Sequence, residues 1–231
     1  MAIIYGRADS EKQLLDLYPK KVKSIDDIDR VHKELKQEYK TTDDGWFGLK
    51  KWNKKKQIKN FEKKKDDSFH AGAKGELSAL DVLSQIPDDF HIMCGVNLAL
   101  PKYVTYNGKR NLKSAQMDFV VVSKRGVVLI EVKNWTAKYY MNNQNISPHE
   151  QADRAARVLW ISLQSWRAPK KPKVKSVVLS TRINMPYDSK FKFVSVSNLE
   201  KINSFLQNRD VEFSDKEVER LVGRLKGHVT K

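Results

Sequence analysis

Two carboxylates and one ammonium group stand near the ends of two neighbouring apolar segments. Residues 116–133, "QMDFVVVSKRGVVLIEVK", contain the apolar runs FVVV and VVLI, separated by Ser-Lys-Arg-Gly. This pattern predicts two strands joined in a hairpin, with the glycine supplying the turn. Because alternate residues of a strand share a face, Glu131 and Lys133 point the same way as Leu129, toward the core. A Glu-x-Lys pair is ordinary on an exposed strand edge, but at the end of a core-facing row it needs a reason.

The hairpin brings a second carboxylate close to the first. In an antiparallel hairpin, the residue numbers of every directly opposed pair add up to the same value. A turn centred on Arg125 makes this value 250 and places Asp118 opposite Val132. A change of one residue in the turn moves this partner to Glu131 or to Lys133. In each register the carboxylates of Asp118 and Glu131 lie close together, and they repel each other unless a cation lies between them. A hard divalent ion such as Mg²⁺ takes one or two carboxylates together with water and phosphate oxygens.

A third carboxylate belongs to a predicted helix. In "AGAKGELSALDVL", residues 71–83, Glu76 shares a helical face with Ala79, Leu80 and Leu83. A buried glutamate is costly unless something compensates its charge. Taken singly, Glu76 could be a helix-start carboxylate and Asp118 a turn residue or a cap. The combination of all three acids with Lys133, on a basic chain, fits a metal-dependent phosphodiesterase.

Elements of mixed α and β type must position these groups. A helix is expected at 71–85, ending before Pro87, and a helix at 148–167 begins at Ser147 as N-cap, with Pro148 and Glu150 following. Further helices are expected at 198–207 and from Ser214, where Glu217 completes a capping box. The predicted strands lie at 90–99, 116–124, 127–133, 174–180 and 191–196.

Composition limits the classes of function. The chain has 231 residues and a net charge of +16, which points to a polyanionic partner or an anionic surface. No apolar run approaches the ~20 residues that a bilayer requires, and "MAIIYGRADSEKQ" lacks the apolar stretch of a secretory signal, so we expect a cytoplasmic protein without a membrane partner. Cys94 is the single cysteine. It lies in a predicted strand, where it acts as a small hydrophobic residue rather than a nucleophile.

The N-terminal region has a different character from the rest. Ser24 and Asp27 predict the capped start of a helix, and a second helix over 49–65 carries nine lysines around Trp52, Ile58 and Phe61. This helix could be a solvated helix docked by its aromatic residues, a basic arm that contacts phosphates, or a membrane-surface helix. The candidate phosphate contacts are Lys50, Lys51, Lys54, Lys55, Lys56, Lys59, Lys63, Lys64 and Lys65.

These patterns divide the chain into three parts. We expect a basic, largely helical arm at 1–69, an α/β core at 70–207 and a C-terminal helix at 208–231 that packs on the core. The lysine-rich arm has no role assigned by any motif, so its interpretation depends on composition alone.

Three segments of the chain resemble the nuclease-related domain (NERD) family of the PD-(D/E)xK nuclease superfamily. They are "GAKGELSALDVL", "SAQMDFVVVSKRGVVLIEVKNW" and "SPHEQADRAARVL", in the order and with the spacing of that family. The resemblance covers roughly residues 70–180. It implies a restriction-endonuclease-like αβββαβ core with a mixed sheet flanked by helices.

The same resemblance implies roles for individual residues. Asp118 and Glu131 would bind Mg²⁺ or Mn²⁺, helped by Glu76 and the carbonyl of Val132. Lys133 would orient or deprotonate the attacking water and stabilise charge on the phosphate. Gln151 matches the glutamine of the third segment, where it would contact water or phosphate, although its periodicity places it only at the edge of an apolar helix face. The neighbouring His149 is expected at the surface.

A metal-dependent nuclease acting on DNA is therefore the function that the sequence favours. Three alternatives stay open: a nucleic-acid-binding module that does not cleave or needs a partner, a structure-selective nuclease for branched DNA, and a ribonuclease. A homodimer would suit branched or duplex substrates, whereas a monomer with an aromatic-lined groove would suit single strands.

Overall fold

The computed structural model describes residues 1–18, 21–42, 49–65, 68–142, 147–164 and 171–231. Within these ranges the chain forms two compact units, one of residues 10–74 and one of residues 1–9 with 75–231. In chain order the elements are β1 (Ile3–Tyr5), α1 (Asp9–Asp16), α2 (Ile25–Thr41), α3 (Leu49–Lys65), α4 (Ser68–Ser84), β2 (His91–Tyr106), β3 (Lys109–Ser123), β4 (Gly126–Lys133), α5 (Ala137–Asn142), α6 (Pro148–Gln164), β5 (Val174–Ser180), β6 (Val194–Asn198), α7 (Ile202–Gln207), α8 (Asp215–Leu225) and a 3₁₀ helix (Lys226–His228).

The larger unit is built around one mixed sheet of six strands in the order β1-β2-β3-β4-β5-β6. Strands β2, β3 and β4 pair antiparallel, whereas β1 joins β2, β5 joins β4 and β6 joins β5 in parallel. Apart from the short helix α5 between β4 and α6, the elements α4, β2, β3, β4, α6 and β5 follow one another in the αβββαβ order. The expected α/β architecture is confirmed.

Helices cover both faces of this sheet because its central strands are apolar on both sides. One face of β4, with Val127 and Leu129, packs with residues of α6 and α8. The other face, with Val128 and Ile130, packs with residues of α4 and α7. Such an all-apolar strand is typical of a sheet buried on both faces. Any polar side chain at the end of β4 is therefore held in a largely dry environment.

The hairpin of β2 and β3 is longer than the sequence pattern predicts. The predicted strands at 90–99 and 116–124 extend toward each other and meet at Asn107 and Gly108, which both have positive φ angles, of 47° and 76°. An Asn-Gly pair with two positive φ angles makes a tight two-residue turn. The alternation of buried and exposed residues fades beyond Leu100, so the apolar pattern stops before the strand does.

Several other boundaries differ from the sequence prediction. The predicted helix at 148–167 begins as expected, with the Glu150 amide donating to Ser147 Oγ at 3.1 Å, and is described to residue 164; positions 165–167 lie outside the described residues. Strand β6 starts three residues late and α7 four residues late relative to the predicted 191–196 and 198–207. The short elements β1, α1 and α5 were not predicted. Each is too brief to produce a clear periodicity.

The smaller unit, residues 10–74, contains α2 and α3. Ser24 and Asp27 form the expected capping box at the start of α2. In α3, Phe61 is 3% exposed and stacks on His32 with ring centroids 5.3 Å apart, but Trp52 is 58% exposed. Of the three interpretations of α3, docking by its aromatic residues therefore holds for Phe61 and not for Trp52. Among the described residues, no helix combines the length and apolar character that crossing a bilayer would require.

Candidate functional site

Asp118 and Glu131 meet at the open end of the β3–β4 hairpin. The turn consists of Lys124 and Arg125, since Ser123 pairs with Gly126, and the paired ladder ends at Phe119 and Ile130. Continuing this register brings Asp118 opposite Glu131. The first register considered, with Asp118 opposite Val132, is wrong by one residue, and its Glu131 alternative is correct. The turn is centred between residues 124 and 125 rather than on Arg125.

The carboxylate of Asp118 extends the hairpin beyond its last backbone pair. Its Oδ2 accepts a hydrogen bond from the Val132 amide at 2.7 Å. This bond fixes the Asp118 side chain at the end of β4, because a backbone N–H in a buried strand needs an acceptor. It also explains how a partly buried aspartate is tolerated at this position.

Glu131 and Lys133 form an ion pair on the α6 side of the sheet. Val127 and Leu129 belong to the apolar cluster beneath α6, and the strand alternation continues that row through Glu131. Glu131 is only 9% exposed. The Lys133 Nζ donates to Glu131 Oε1 at 2.7 Å and lies 5.6 Å from the centre of the Trp135 ring. The expectation that this charged pair continues the core-facing row is confirmed.

Glu76 reaches the same region from α4. It is 4% exposed. The preceding residue, Gly75, lies so close to Asn134 that a Cβ on Gly75 would stand 2.6 Å from the Asn134 Cβ. This close approach is possible because Gly75 has no side chain. The contact holds α4 at Gly75 against Asn134, the residue that follows β4. Asn134 is itself held, since Thr181 Oγ1 donates to its Oδ1 at 2.8 Å.

The three acids and Lys133 act on one another electrostatically. Burial, followed by the negative charges of Glu131 and Glu76, raises the pKa of Asp118 well above the ordinary aspartate value. Burial lowers the pKa of Lys133, but the charges of Glu131 and Asp118 outweigh it and leave that pKa raised. The Lys133 side chain is thus an ammonium, and it offsets only part of the negative charge around it.

The charge of Glu76 also acts on the single cysteine, Cys94, which is not part of the site. Cys94 is fully buried in β2, and burial, with a smaller contribution from the charge of Glu76, raises its pKa to about 12. A thiol with such a pKa is not a nucleophile at neutral pH. The structure agrees with the interpretation of Cys94 as a core residue.

A cleft of about 290 Å³ opens beside Glu131. Gln151 and Arg154 of α6 line it on one side, and Ser114 and Gln116 of β3 line it on the other. Gln151 therefore shares a cleft with Glu131, as its match to the third segment suggested. Arg154 was not singled out from the sequence. Its signal was its position three residues after Gln151, which places both side chains on one helical face.

His149 is a correction to the sequence analysis. It was expected at the surface, yet it is 3% exposed, and its ring stacks against Phe191 with centroids 6.4 Å apart. Its Nε2 has no hydrogen-bond partner among the described residues. Burial lowers the pKa of His149, against the opposing effects of the Asp188 charge and the Pro186 backbone. The segment before β6 covers this histidine, and no local pattern predicts that cover.

The donor set suits a hard divalent cation held by few protein ligands. The described ranges contain no group of three or more His, Cys, Asp or Glu side chains arranged around one point. Asp118 and Glu131 nevertheless face each other at the strand ends, and burial, followed by the negative charges of Glu131 and Glu76, raises the pKa of Asp118. Mg²⁺ requires one or two carboxylates and completes its shell with water. The residues present therefore fit such an ion chemically.

The lysines of α3 differ in exposure. Lys51 and Lys54 are half-buried, and Lys54 Nζ lies 3.2 Å from Glu38 Oε2. Lys56 lies 5.3 Å from the centre of the exposed Trp52 ring. The side chains of Lys64 and Lys65 lie outside the described part of the structure. The exposed lysines are Lys50, Lys55, Lys56, Lys59 and Lys63.

Comparison with known proteins gives one match. Residues 71–181 match the model of a family described as the nuclease-related domain. This range contains most of α4 together with β2, β3, β4, α6 and β5, and it includes the five candidate catalytic residues, Glu76, Asp118, Glu131, Lys133 and Gln151. No curated protein and no solved structure matches the chain significantly.

Proposed function

We propose that this chain, whose residues 71–181 match the model of the nuclease-related domain family, is a Mg²⁺- or Mn²⁺-dependent nuclease that hydrolyses phosphodiester bonds of DNA. The observation that carries the proposal is the meeting of the partly buried Asp118 with the buried Glu131, where Lys133 Nζ donates a hydrogen bond to Glu131 Oε1 at 2.7 Å. An acidic pair in a dry strand end is costly unless it binds a cation.

In this proposal each site residue has a distinct task. Asp118 and Glu131 hold the cation, with Glu76 and the Val132 carbonyl as supporting ligands. The bound cation would polarise the scissile phosphate and lower the pKa of a coordinated water. Gln151 contacts water or phosphate in the cleft that it shares with Glu131.

Lys133 acts as a charged group rather than as a base. Its pKa is raised by the neighbouring carboxylates, so it keeps its proton at neutral pH. An ammonium in this position donates hydrogen bonds to the attacking water or to a phosphate oxygen and offsets the charge that develops there. The other role considered from the sequence, deprotonation of the water, would require a bound cation to offset the carboxylate charges that raise this pKa.

The basic surface supplies affinity that does not depend on sequence. With a net charge of +16 and five exposed lysines on α3, the chain is suited to bind phosphates by counterion release. A non-cleaving or partner-activated binding module is the second candidate. The Glu131–Lys133 ion pair favours it, because the pair already neutralises one proposed ligand.

Cleavage assays separate these two functions. Labelled single-stranded, duplex and branched DNA, and RNA, are incubated with Mg²⁺, with Mn²⁺ or with EDTA. Cleavage that requires the metal supports the nuclease, and the preferred substrate selects among DNA, branched DNA and RNA. Tight binding without cleavage under every condition would favour the binding module.

Substitution of Lys133 tests the assignment of the site. We expect Lys133→Ala to lower the cleavage rate by about a hundredfold or more, because it removes a preorganised charge from the reacting phosphate, and to leave nucleic-acid binding largely intact. Lys124→Ala is the matched control: Lys124 lies at the opposite end of the same hairpin and pairs with Asp215 at 2.9 Å. Full activity in Lys133→Ala would show that the site is assigned wrongly.

A further inference from the structure

A second cleft, of about 720 Å³, lies along α6 beyond Arg154. It runs between the second half of α6, the turn of the β2–β3 hairpin and the start of β5. Its lining is rich in aromatic and basic residues: Tyr106, Arg157, Trp160, Lys173, Lys175 and Phe193. The proposed catalytic residues do not line it.

Two of these aromatic side chains are exposed although their backbone is ordered. Phe193 is 75% exposed and Trp160 is 36% exposed. The Phe193 carbonyl accepts a hydrogen bond from Ser176 Oγ at 3.2 Å, so the adjoining strands hold this residue in place. Large apolar side chains held in solvent beside a cleft mark a binding surface.

The charges around the cleft suit an anionic ligand. Arg157, Lys173 and Lys175 are exposed, and the Arg157 guanidinium lies 4.7 Å from the centre of the Trp160 ring. Asp153 is the one acidic residue among the described lining residues, and its carboxylate accepts a hydrogen bond from the Tyr106 hydroxyl at 2.8 Å. Aromatic faces bordered by cations match a nucleotide strand, whose bases are flat and apolar and whose backbone is anionic.

The second cleft adjoins the proposed catalytic cleft. Arg154 lines the smaller cleft beside Glu131, and its guanidinium lies 5.0 Å from the centre of the Tyr106 ring in the larger one. Gln151 and Trp160 are about 14 Å apart along the axis of α6 at 1.5 Å per residue. Because the two residues also lie half a turn apart around α6, this axial distance is a minimum, and at about 3.4 Å per stacked nucleotide it corresponds to at least about four nucleotides.

We propose that the larger cleft binds unpaired bases, so that the substrate is single-stranded DNA or DNA with a single-stranded tail, cut a few nucleotides from the bound bases. This inference rests on the proposed nuclease function and specifies its substrate class. Duplex DNA keeps its bases stacked inside the helix and cannot present their faces to Trp160 and Phe193.

Binding measurements in EDTA test the cleft without any cleavage. Labelled oligothymidine and a duplex of the same length are titrated with wild type, Trp160→Leu and Phe193→Ala at fixed salt concentration. We expect each substitution to raise the Kd for the single strand about five- to a hundredfold, because a base loses its stacking partner. The Kd for the duplex is expected to stay unchanged. Trp160→Phe, which keeps an aromatic face, is expected to retain most of the wild-type affinity for the single strand.

Tyr187→Ala is the matched control, since Tyr187 is also exposed, at 58%, but does not line the cleft. An unchanged single-strand Kd in both variants, or an equal loss for single strand and duplex, would overturn the proposal. Phe193→Ala provides an independent test in case the Trp160 variant misfolds, because Phe193 is exposed and contributes little to the core.

Parallel cleavage assays distinguish failure of this inference from failure of the proposed function. If wild type shows metal-dependent cleavage while both variants bind the single strand as tightly as wild type, the proposed role of the larger cleft is rejected and the proposed nuclease function stands. If the variants bind the single strand more weakly and wild type does not cleave, the larger cleft binds single strands as proposed and the proposed nuclease function is rejected.

Discussion

At the scale of single residues, Asp118 has the most demanding position in the candidate site. Its carboxylate is engaged by the Val132 amide, yet it is close to two further acids and lies in a poorly solvated strand end. Lys133 compensates some of this charge but is bonded to Glu131. The ionised form of Asp118 is therefore disfavoured in the folded chain unless a further cation is present.

This disadvantage predicts how stability depends on pH. A carboxyl whose pKa is raised by folding binds its proton more tightly in the folded than in the unfolded state, so folding stability decreases as pH rises from the ordinary carboxyl range through the raised pKa. Asp118→Asn has no such charge and is expected to be more stable than wild type at neutral pH in EDTA. The difference is expected to vanish below the ordinary aspartate pKa. Thermal unfolding at several pH values measures it.

Two additions make this pH experiment specific. Glu219→Gln, which removes an exposed carboxylate on α8, is the control and is expected to follow the wild-type profile. Mg²⁺ is expected to raise the melting temperature of wild type more than that of Asp118→Asn, since ligands that bind only the folded state stabilise it. A wild-type protein as stable as Asp118→Asn at every pH would contradict the electrostatic account.

At the scale of elements, the site depends on how closely α4 approaches the end of β4. Gly75 permits this approach, and Asn134 occupies the space that a side chain at Gly75 would need. The contact sets the position of Glu76, the next residue of α4. Gly223 of α8 offers a comparison, because a Cβ there would have no atom within 4 Å.

Substitution of the two glycines is expected to have opposite effects. Gly223→Ala is expected to stabilise the chain by about 0.5–1 kcal/mol, since alanine favours a helix. Gly75→Ala is expected to destabilise it by roughly 1–3 kcal/mol through overpacking, and to reduce cleavage by displacing Glu76. In an Asn134→Gly background, where the obstructing side chain is gone, the cost of Gly75→Ala is expected to shrink. Denaturant unfolding of the four variants of this cycle measures the coupling.

The element scale also shows what sequence patterns could and could not predict. The αβββαβ order was predictable because each core element has a clear apolar period, and β5 was predicted at its observed bounds. The long β2–β3 hairpin carried a usable signal in Asn107-Gly108 that the apolar pattern did not reveal. Strand β1 has three residues and pairs in parallel with β2, a tertiary contact without a local signature.

The same distinction applies to the candidate site. The meeting of Asp118 and Glu131 was predictable because one local turn brings them together, although its register was uncertain by one residue. The burial of His149 and the position of Arg154 in the cleft depend on how distant segments pack. A single sequence contains no local pattern for the burial of His149, and for Arg154 it offers only the three-residue spacing from Gln151.

At the scale of the whole molecule, the lysines of α3 are a feature that folding does not explain. Lys55, Lys59 and Lys63 are exposed and follow one another at intervals of four residues. Like charges at this spacing destabilise a helix by about 0.2–0.5 kcal/mol per pair. A stripe of this kind is expected to serve binding rather than stability.

The dependence of binding on salt tests this role. Replacement of the stripe by glutamine is expected to weaken binding of single-stranded DNA and to reduce the slope of log K against log salt by about 2, at roughly 0.7 per lost phosphate contact. Cleavage of saturating substrate is expected to persist, since none of the three lysines belongs to the proposed catalytic set. An unchanged slope would exclude the stripe from binding. An equal change of charge elsewhere provides the control, made by replacing the exposed residues Lys201, Lys216 and Lys226 with glutamine.

The two-residue turn between β3 and β4 has a consequence for the order in which the protein forms. Contacts of short sequence separation form fastest, so we expect the hairpin to bring Asp118 and Glu131 together before α4 and α6 pack against it. A folding transition state that contains this hairpin would hold two like charges that the rest of the chain has not yet compensated. The residues proposed to cut a phosphodiester bond would thus also slow the folding of the protein that carries them.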